Sequence, residues 1–253
     1  MEWVLFFGCA VGGAVVGLAV TAVARRLQFG DPDDEAMTGI KLTGIYTLYA
    51  VILGFVVLSS WQFYSDGRDS VRDEASSVSV IDRDAKSLPD GQGVKIIEAL
   101  DQYLTVTIDE EFGQANGNRF APSSRANLQK LTNQVADVKG DTSVSNVQDT
   151  MLYYLGVLDE ARANRVFFVE NENPDFMWFL LGFGGLIVTG LSAMLHFKSA
   201  KTHFVLVGSL SALIAVSLFS VYALNHPFTG PFPIGPGPLE QAQLLVHSDL
   251  APR

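Results

Sequence analysis

The chain has 253 residues, of which 48% are hydrophobic and only 17% charged, and it carries a net charge of −10. Soluble domains carry about 25% charged residues, so grease and acid must occupy different stretches here. That hydrophobicity excludes a disordered chain. The lack of clustered Lys and Arg excludes a nucleic-acid binder. A single cysteine, Cys9, excludes an internal disulfide framework and a cysteine-built zinc site.

In chain order, residues 3–24 carry no charge and exceed the roughly 20 apolar residues that cross a bilayer. A signal peptide is the rival reading, with Ala22-Val23-Ala24 as a cleavage site. No positive charge precedes the run, and Arg25-Arg26 follows it directly, so it reads as a membrane helix. Within it, Gly8-x-x-x-Gly12 and Gly13-x-x-x-Gly17 predict a tight helix contact. Residues 42–64 form a second uncharged span ending in Trp61 and Tyr64, aromatics suited to the headgroup level.

Residues 65–175 hold 20 of the 27 acidic and 11 of the 17 basic residues, so nearly all the excess acid lies here. Their apolar residues are spaced for amphipathic helices. Val71, Ala75, Val78, Ile81, Ala85 and Leu88 form one stripe, which can continue the second span as one helix over 42–88. Pro89-Asp90-Gly91 makes a turn. Val94, Ile97, Leu100, Leu104 and Ile108 form the next stripe, and 113–118 reads as a loop. Leu128, Leu131, Val135 and Val138 mark a third helix from Pro122. Val144, Val147, Met151, Tyr154, Leu158 and Ala161 mark a fourth, with Asn173-Pro174 able to start the helix after it. Residues 176–197 and 204–224 are the third and fourth spans. The tail at 225–253 is rich in Pro and Gly, with a short helix expected over 239–246.

The predicted fold is therefore an all-α integral membrane protein. It has four transmembrane helices and a hydrophilic four-helix insertion between the second and third. Its divisions are 1–64, 65–175, 176–224 and the tail. The short loops 25–41 and 198–203 hold Arg25, Arg26, Lys41, Lys198 and Lys201, which places them in the cytoplasm of a bacterial inner membrane and the insertion outside.

Catalysis fails on inventory. The four histidines form no helical metal pair, and no nucleophile elbow, P-loop or dinucleotide fingerprint occurs. No enzyme activity and no cofactor are expected. The acid groups Asp109-Glu110-Glu111 and Asp82 with Asp84 could form a cation site or a solvated helix face. They lack EF-hand spacing. The four spans contain no Asp, Glu, Lys or Arg, which argues against a proton-coupled pump but not against a channel gated by apolar side chains.

A set of short motifs in order carries a family resemblance. Leu53-Gly54-Phe55 is followed by Trp61-Gln62-Phe63-Tyr64 and Asp66-Gly67-Arg68, then Glu74-Ala75-Ser76 and Leu88-Pro89. Tyr103 precedes Glu111-Phe112, and Pro227-Phe228-Thr229-Gly230 follows the last span. This order, over about residues 40–245, resembles the bestrophin-like family of bacterial membrane proteins, also described as a domain of unknown function. That family is distantly similar to the bestrophins, which are pentameric anion channels. The resemblance implies a homo-oligomeric anion channel whose second helix lines a neck through Thr47, Val51 and Phe55. It makes Trp61, Arg68, Glu74, Pro227, Phe228 and Gly230 family positions. It also places the insertion in the cytosol, opposite to the charge rule. The competing reading is a non-conducting scaffold or accessory subunit that docks a protein partner through the insertion. In either case the expected partners are the lipid bilayer and a second copy or another membrane protein, with no nucleic acid.

Overall fold

The structure is a computed structural model that describes residues 2–26, 35–89, 91–112, 121–170, 175–195 and 199–250. Among these it is all-helical, with no strand. In chain order the helices are α1 (Glu2–Arg26), α2 (Glu35–Ala85), α3 (Gln92–Val106), α4 (Pro122–Ala136), α5 (Thr142–Glu170), α6 (Asp175–Met194), α7 (Ala200–Asn225) and α8 (Gly237–Leu250). A π-helical turn, Thr107–Phe112, continues α3. Among the described residues, four helices are long and apolar enough to cross a membrane: α1, α2, α6 and α7. The Asn173-Pro174 start signal and the loop expected at 113–118 lie outside the described residues.

The chain divides into two compact units. The first comprises Met1–Gln62 and Asn173–Asn225. Here α1 packs against α6 and α7, and α6 against α7. The small residues of α1 decide that contact. A Cβ at Gly13 would lie 2.5 Å from Ala215 Cβ and 2.7 Å from the Ser211 carbonyl. One at Gly17 would meet the Val207 carbonyl at 3.0 Å. Gly8 and Gly12 face open space. Among the described residues, Gly13 and Gly17 are the pair of the two expected that makes a close contact. The unit's apolar core is two small clusters, Tyr49 with Val188 and Ile214, and Val56 with Leu181 and Val221.

The second unit comprises Phe63–Glu172 and His226–Arg253. One apolar core joins the expected stripe of α2, from Val71 to Leu88, to α3, α4, α5 and α8. Val94 departs from its stripe: it is exposed, and Ile96 is buried in its place beside Ile97. Gly91 enters α3 with φ 68°, a backbone suited to glycine. A Cβ at Gly93 would lie 2.0 Å from the Ala85 carbonyl, so the turn after α2 closes only on glycine. Asp141 caps α5, its carboxylate accepting from the Ser143 and Val144 amides at 3.0 and 3.1 Å. Pro122 opens α4, where its missing N–H costs nothing.

The tail corrects one expectation. Gly237 and Pro238 belong to α8, which begins earlier and ends later than the predicted 239–246. A proline in the first helical turn gives up no intrahelical bond, so this one starts the helix. Leu239, Ala242 and Val246 seat α8 in the core, and Gln243 Nε2 donates to Thr105 Oγ1 at 2.9 Å.

Candidate functional site

Two places hold the residues the sequence singled out. In the first unit, α2 has a buried face and an exposed one. Leu42, Tyr49 and Val56 are buried. Thr47, Val51 and Phe55 are all exposed, Val51 at 51% and Phe55 at 70%. An α-helix turns about 100° per residue, so residues four apart drift by about 40° and Thr47 lies about 80° from Phe55. The stripe centred on Phe55 is better described by Gly44, Leu48, Val51, Phe55 and Leu58, every one exposed. Thr47 points its hydroxyl back to its own helix, donating to the Thr43 carbonyl at 2.8 Å. This stripe is a continuous apolar face that the described residues leave uncovered. Trp61 is exposed as well.

In the second unit, charge is buried. Glu74 on α2, Glu111 on the π-helical turn, and Arg162 and Arg165 on α5 are each at most 2% exposed. Arg165 Nε donates to Glu74 Oε2 at 2.9 Å, and its Nη2 to Glu111 Oε2 at 2.6 Å. Arg162 Nη2 donates to the other Glu111 oxygen at 2.6 Å, and its Nε to Ser124 Oγ at 3.2 Å. Tyr103 on α3 donates its hydroxyl to Glu74 Oε1 at 2.5 Å. The Ala121 amide donates to Glu111, and Thr107 and Ser124 share a hydrogen bond at 2.9 Å. Two carboxylates thus balance two guanidiniums, and each of the four carboxylate oxygens has at least one donor. Such completeness is what makes buried ions tolerable.

The charges hold one another in place. Burial pushes Glu111 upward, but the guanidiniums of Arg165 and Arg162 outweigh it and hold Glu111 below the ordinary carboxylate value. Burial works to lower the Arg165 pKa, yet Glu74 and Glu111 raise it beyond its ordinary range. Burial, then the Glu74 charge, push the Tyr103 phenol well above its ordinary value.

The family positions converge on this array. Glu74, Tyr103 and Glu111, read as scattered motif letters, are its acidic half and its phenol. The Arg165 guanidinium lies 5.0 Å from the centre of the Phe112 ring, and Phe112 meets Phe228 edge-on at 6.4 Å. Phe228 also faces Gly67, where a Cβ would sit 3.6 Å from its ring. Pro227 and Gly230 shape the turn that presents Phe228. The Ile234 amide donates to the Pro227 carbonyl at 2.7 Å, and the Gly230 amide to the His226 carbonyl at 2.8 Å. Arg68 is half-buried and stands apart, its Nε without a hydrogen bond among the described residues.

Arg162 and Arg165 carry the array, and neither belongs to the motifs that the sequence singled out. Their signal was available: both recur in the apolar phase of α5, beside Leu158 and Ala161. The cation-site reading of the acid groups is corrected. Glu111 is claimed by two arginines, Glu110 accepts from Ser123, and Lys86 Nζ bridges Asp82 at 2.6 Å and Asp249. Protein cations thus already occupy Glu111 and Asp82. Among the described residues, no group of three His, Cys, Asp or Glu could hold a metal ion.

A bestrophin-like domain matches residues 5–239. The fold is similar to that of a bacterial bestrophin homologue from Klebsiella pneumoniae, with a TM-score of 0.71 and 13% identity over 95% of this chain and 96% of that one. A mutant of that homologue gives a TM-score of 0.73 at 14% identity, covering 95% of this chain and 98% of that one. A second mutant gives 0.68 at 13% identity, covering 99% and 98%. No protein of curated function matches the sequence. With the family domain spanning most of its length and four helices fit to cross a membrane, the chain is a membrane protein of the bestrophin-like family.

Proposed function

We propose that the protein is a homo-oligomeric ion channel in a bacterial inner membrane, with the second helix of each copy facing the conducting path. The observation that carries this reading is the uncovered stripe Gly44, Leu48, Val51, Phe55 and Leu58 on α2. An axial ring of such side chains can gate by dewetting. Phe55 is the bulkiest side chain on the stripe and so its narrowest point. Membership of the bestrophin-like family supports the reading, as does the absence of Asp, Glu, Lys and Arg from α2 between Leu42 and Tyr64. The charge rule still favours an extracytoplasmic insertion.

The test is ion flux. Purified protein in liposomes should pass ions above the rate of empty liposomes. Phe55→Ala should change conductance or gating while leaving the thermal midpoint nearly unchanged, because Phe55 buries little in its own chain. Absence of flux over a range of voltage and pH, with folded oligomeric protein in the bilayer, would overturn the reading. A second reading, the partner-docking scaffold, has its own support. Tyr153, Leu244 and Leu245 of the hydrophilic unit are 69%, 72% and 57% exposed. A protein that is monomeric in the membrane and recovered with a stable partner would favour it.

A further inference from the structure

The second unit holds a cleft that the channel reading does not use. It lies between α4 and α5 and measures about 530 Å³, within the range of small-molecule sites. The two helices run antiparallel. Near one end Arg162 Nε reaches Ser124 Oγ at 3.2 Å, and near the other Gln148 Nε2 reaches the Val135 and Ala136 carbonyls at 2.9 and 3.0 Å. Between these contacts the helices part. Leu128 and Leu155, both buried, give the cleft its apolar floor, and Arg162 closes one end. Glu111 and Ser124 fix Arg162 in place, so that wall is preorganised.

Two further observations point to an occupant. Gly156 lies in the middle of α5 and lines the cleft. Glycine weakens a helix interior, yet a Cβ at Gly156 would meet nothing within 4 Å. Packing among the described residues does not ask for glycine there; what the missing side chain leaves open is the cleft. The second observation is a pair of unlike charges. Arg125 on α4 and Asp159 on α5 both line the cleft. Interpolated between the two end contacts, they stand within about half a turn of each other along the axis. Charges so placed attract, but both are exposed and neither side chain has a hydrogen bond or ion pair among the described residues. A simple anion on Arg125 would be repelled by Asp159, and a simple cation on Asp159 by Arg125. A ligand that carries both signs satisfies both. We propose that the cleft binds a small zwitterion about the size of a dipeptide. Its carboxylate sits on Arg125, whose guanidinium offers two parallel donors, its ammonium on Asp159, and its apolar side chains on Leu128 and Leu155.

The experiment is calorimetric titration of the full-length protein in detergent with leucyl-leucine and two blocked forms of it. N-acetyl-leucyl-leucine lacks the ammonium, and leucyl-leucine amide lacks the carboxylate. Leucyl-leucine should bind roughly tenfold more tightly than either blocked form. Arg125→Gln should weaken leucyl-leucine about tenfold and leave the amide unmoved, because the lost partners belong to one contact. Asp159→Asn should weaken leucyl-leucine likewise and leave the acetylated form unmoved. Both side chains are exposed, so the thermal midpoint should hold in each variant. Gly156→Leu fills the cleft and should abolish binding of all three probes. No binding of leucyl-leucine, equal affinity for the three probes, or binding that Gly156→Leu leaves intact would overturn the proposal. None of these results bears on ion flux, so the channel reading stands or falls separately.

Discussion

The two units handle polar groups in opposite ways. In the unit of Met1–Gln62 and Asn173–Asn225, buried hydroxyls mostly return to their own helix. Thr21 bonds to the Gly17 carbonyl, Ser60 to Val56, Ser192 to Val188 and Ser211 to Val207, each at 2.7–2.8 Å. In the unit of Phe63–Glu172 and His226–Arg253, whole ions are buried and satisfied across five segments of chain. The outer surfaces differ in the same sense. Phe7, Leu48, Phe55, Phe179 and Leu213 of the first unit are more than half exposed, while the second builds one large apolar core. Hydrocarbon offers a polar group nothing to bond, so a side chain in a membrane helix is best satisfied by the carbonyl one turn back. Water outside the second unit drives a core together, and ions enter it only as a complete set.

The sharpest way to break this contrast is to remove one ion. Arg165→Met leaves Glu74 and half of Glu111 uncompensated in a dry site. Loss of one partner from a buried pair costs about 3–5 kcal/mol. The hydrophilic unit should then lose much of its cooperative unfolding transition, followed by circular dichroism in detergent. Adding Glu74→Met to Arg165→Met should recover part of the loss, because the orphaned charge goes with it. By comparison, Ser60→Ala in the first unit should cost less than about 1 kcal/mol, the worth of one neutral hydrogen bond. Equal losses from Arg165→Met and Ser60→Ala would erase the distinction between the units.

How much of this was legible beforehand follows the same division. The four apolar spans, the α2 stripe from Val71 to Ala85 and the α4 stripe from Leu128 to Val135 could be read, since periodicity reports burial directly. Glu74, Tyr103 and Glu111 were visible only as family letters. Nothing in their spacing says that residues 29 and 37 positions apart meet the same arginine. Arg162 and Arg165 were hidden by a sound prior, that arginine is almost never fully buried unless paired. The pairing is a long-range fact that no local window holds. The π-helical turn was invisible for a related reason. It sets Glu111 and Thr107 into contacts with distant segments, which no local window of Thr107–Phe112 holds.

Within the membrane-type unit, the glycines of α1 offer a second, smaller contrast. Gly13→Leu would drive a side chain into Ala215 and the Ser211 backbone, which cannot withdraw cheaply. Overpacking of this kind costs about 1–3 kcal/mol, and the thermal midpoint in detergent should fall accordingly. A Cβ at Gly12 meets nothing within 4 Å, so Gly12→Leu should leave that midpoint unchanged or slightly raised, since glycine is a poor helix former. If Gly12→Leu instead disrupts the oligomer while sparing the monomer, that face of α1 is a subunit contact. A fall of the same size in both variants would mean that α1 does not pack on α7 through Gly13.

The smallest expected effect separates the units by acid. Glu111 is held below its ordinary value of 4.5, so the folded hydrophilic unit gains stability from its ionised form. A depressed carboxylate contributes fully above its unfolded pKa, and the contribution drains away as pH falls through the folded pKa. The array should therefore weaken below about pH 4.5, as protonated Glu111 releases Arg162 and Arg165. Tyr103 sets the other limit: its raised pKa favours the fold below about pH 10, the ordinary tyrosine value, and that contribution is lost as pH rises further. Glu111→Gln is less stable at neutral pH, but its stability should depend less steeply on pH in the acid range than the wild type's. Comparing the two slopes isolates the contribution of Glu111. Parallel slopes would show that Glu111 carries no linked proton, and that the arginines are held by Glu74 and the surrounding hydroxyls instead.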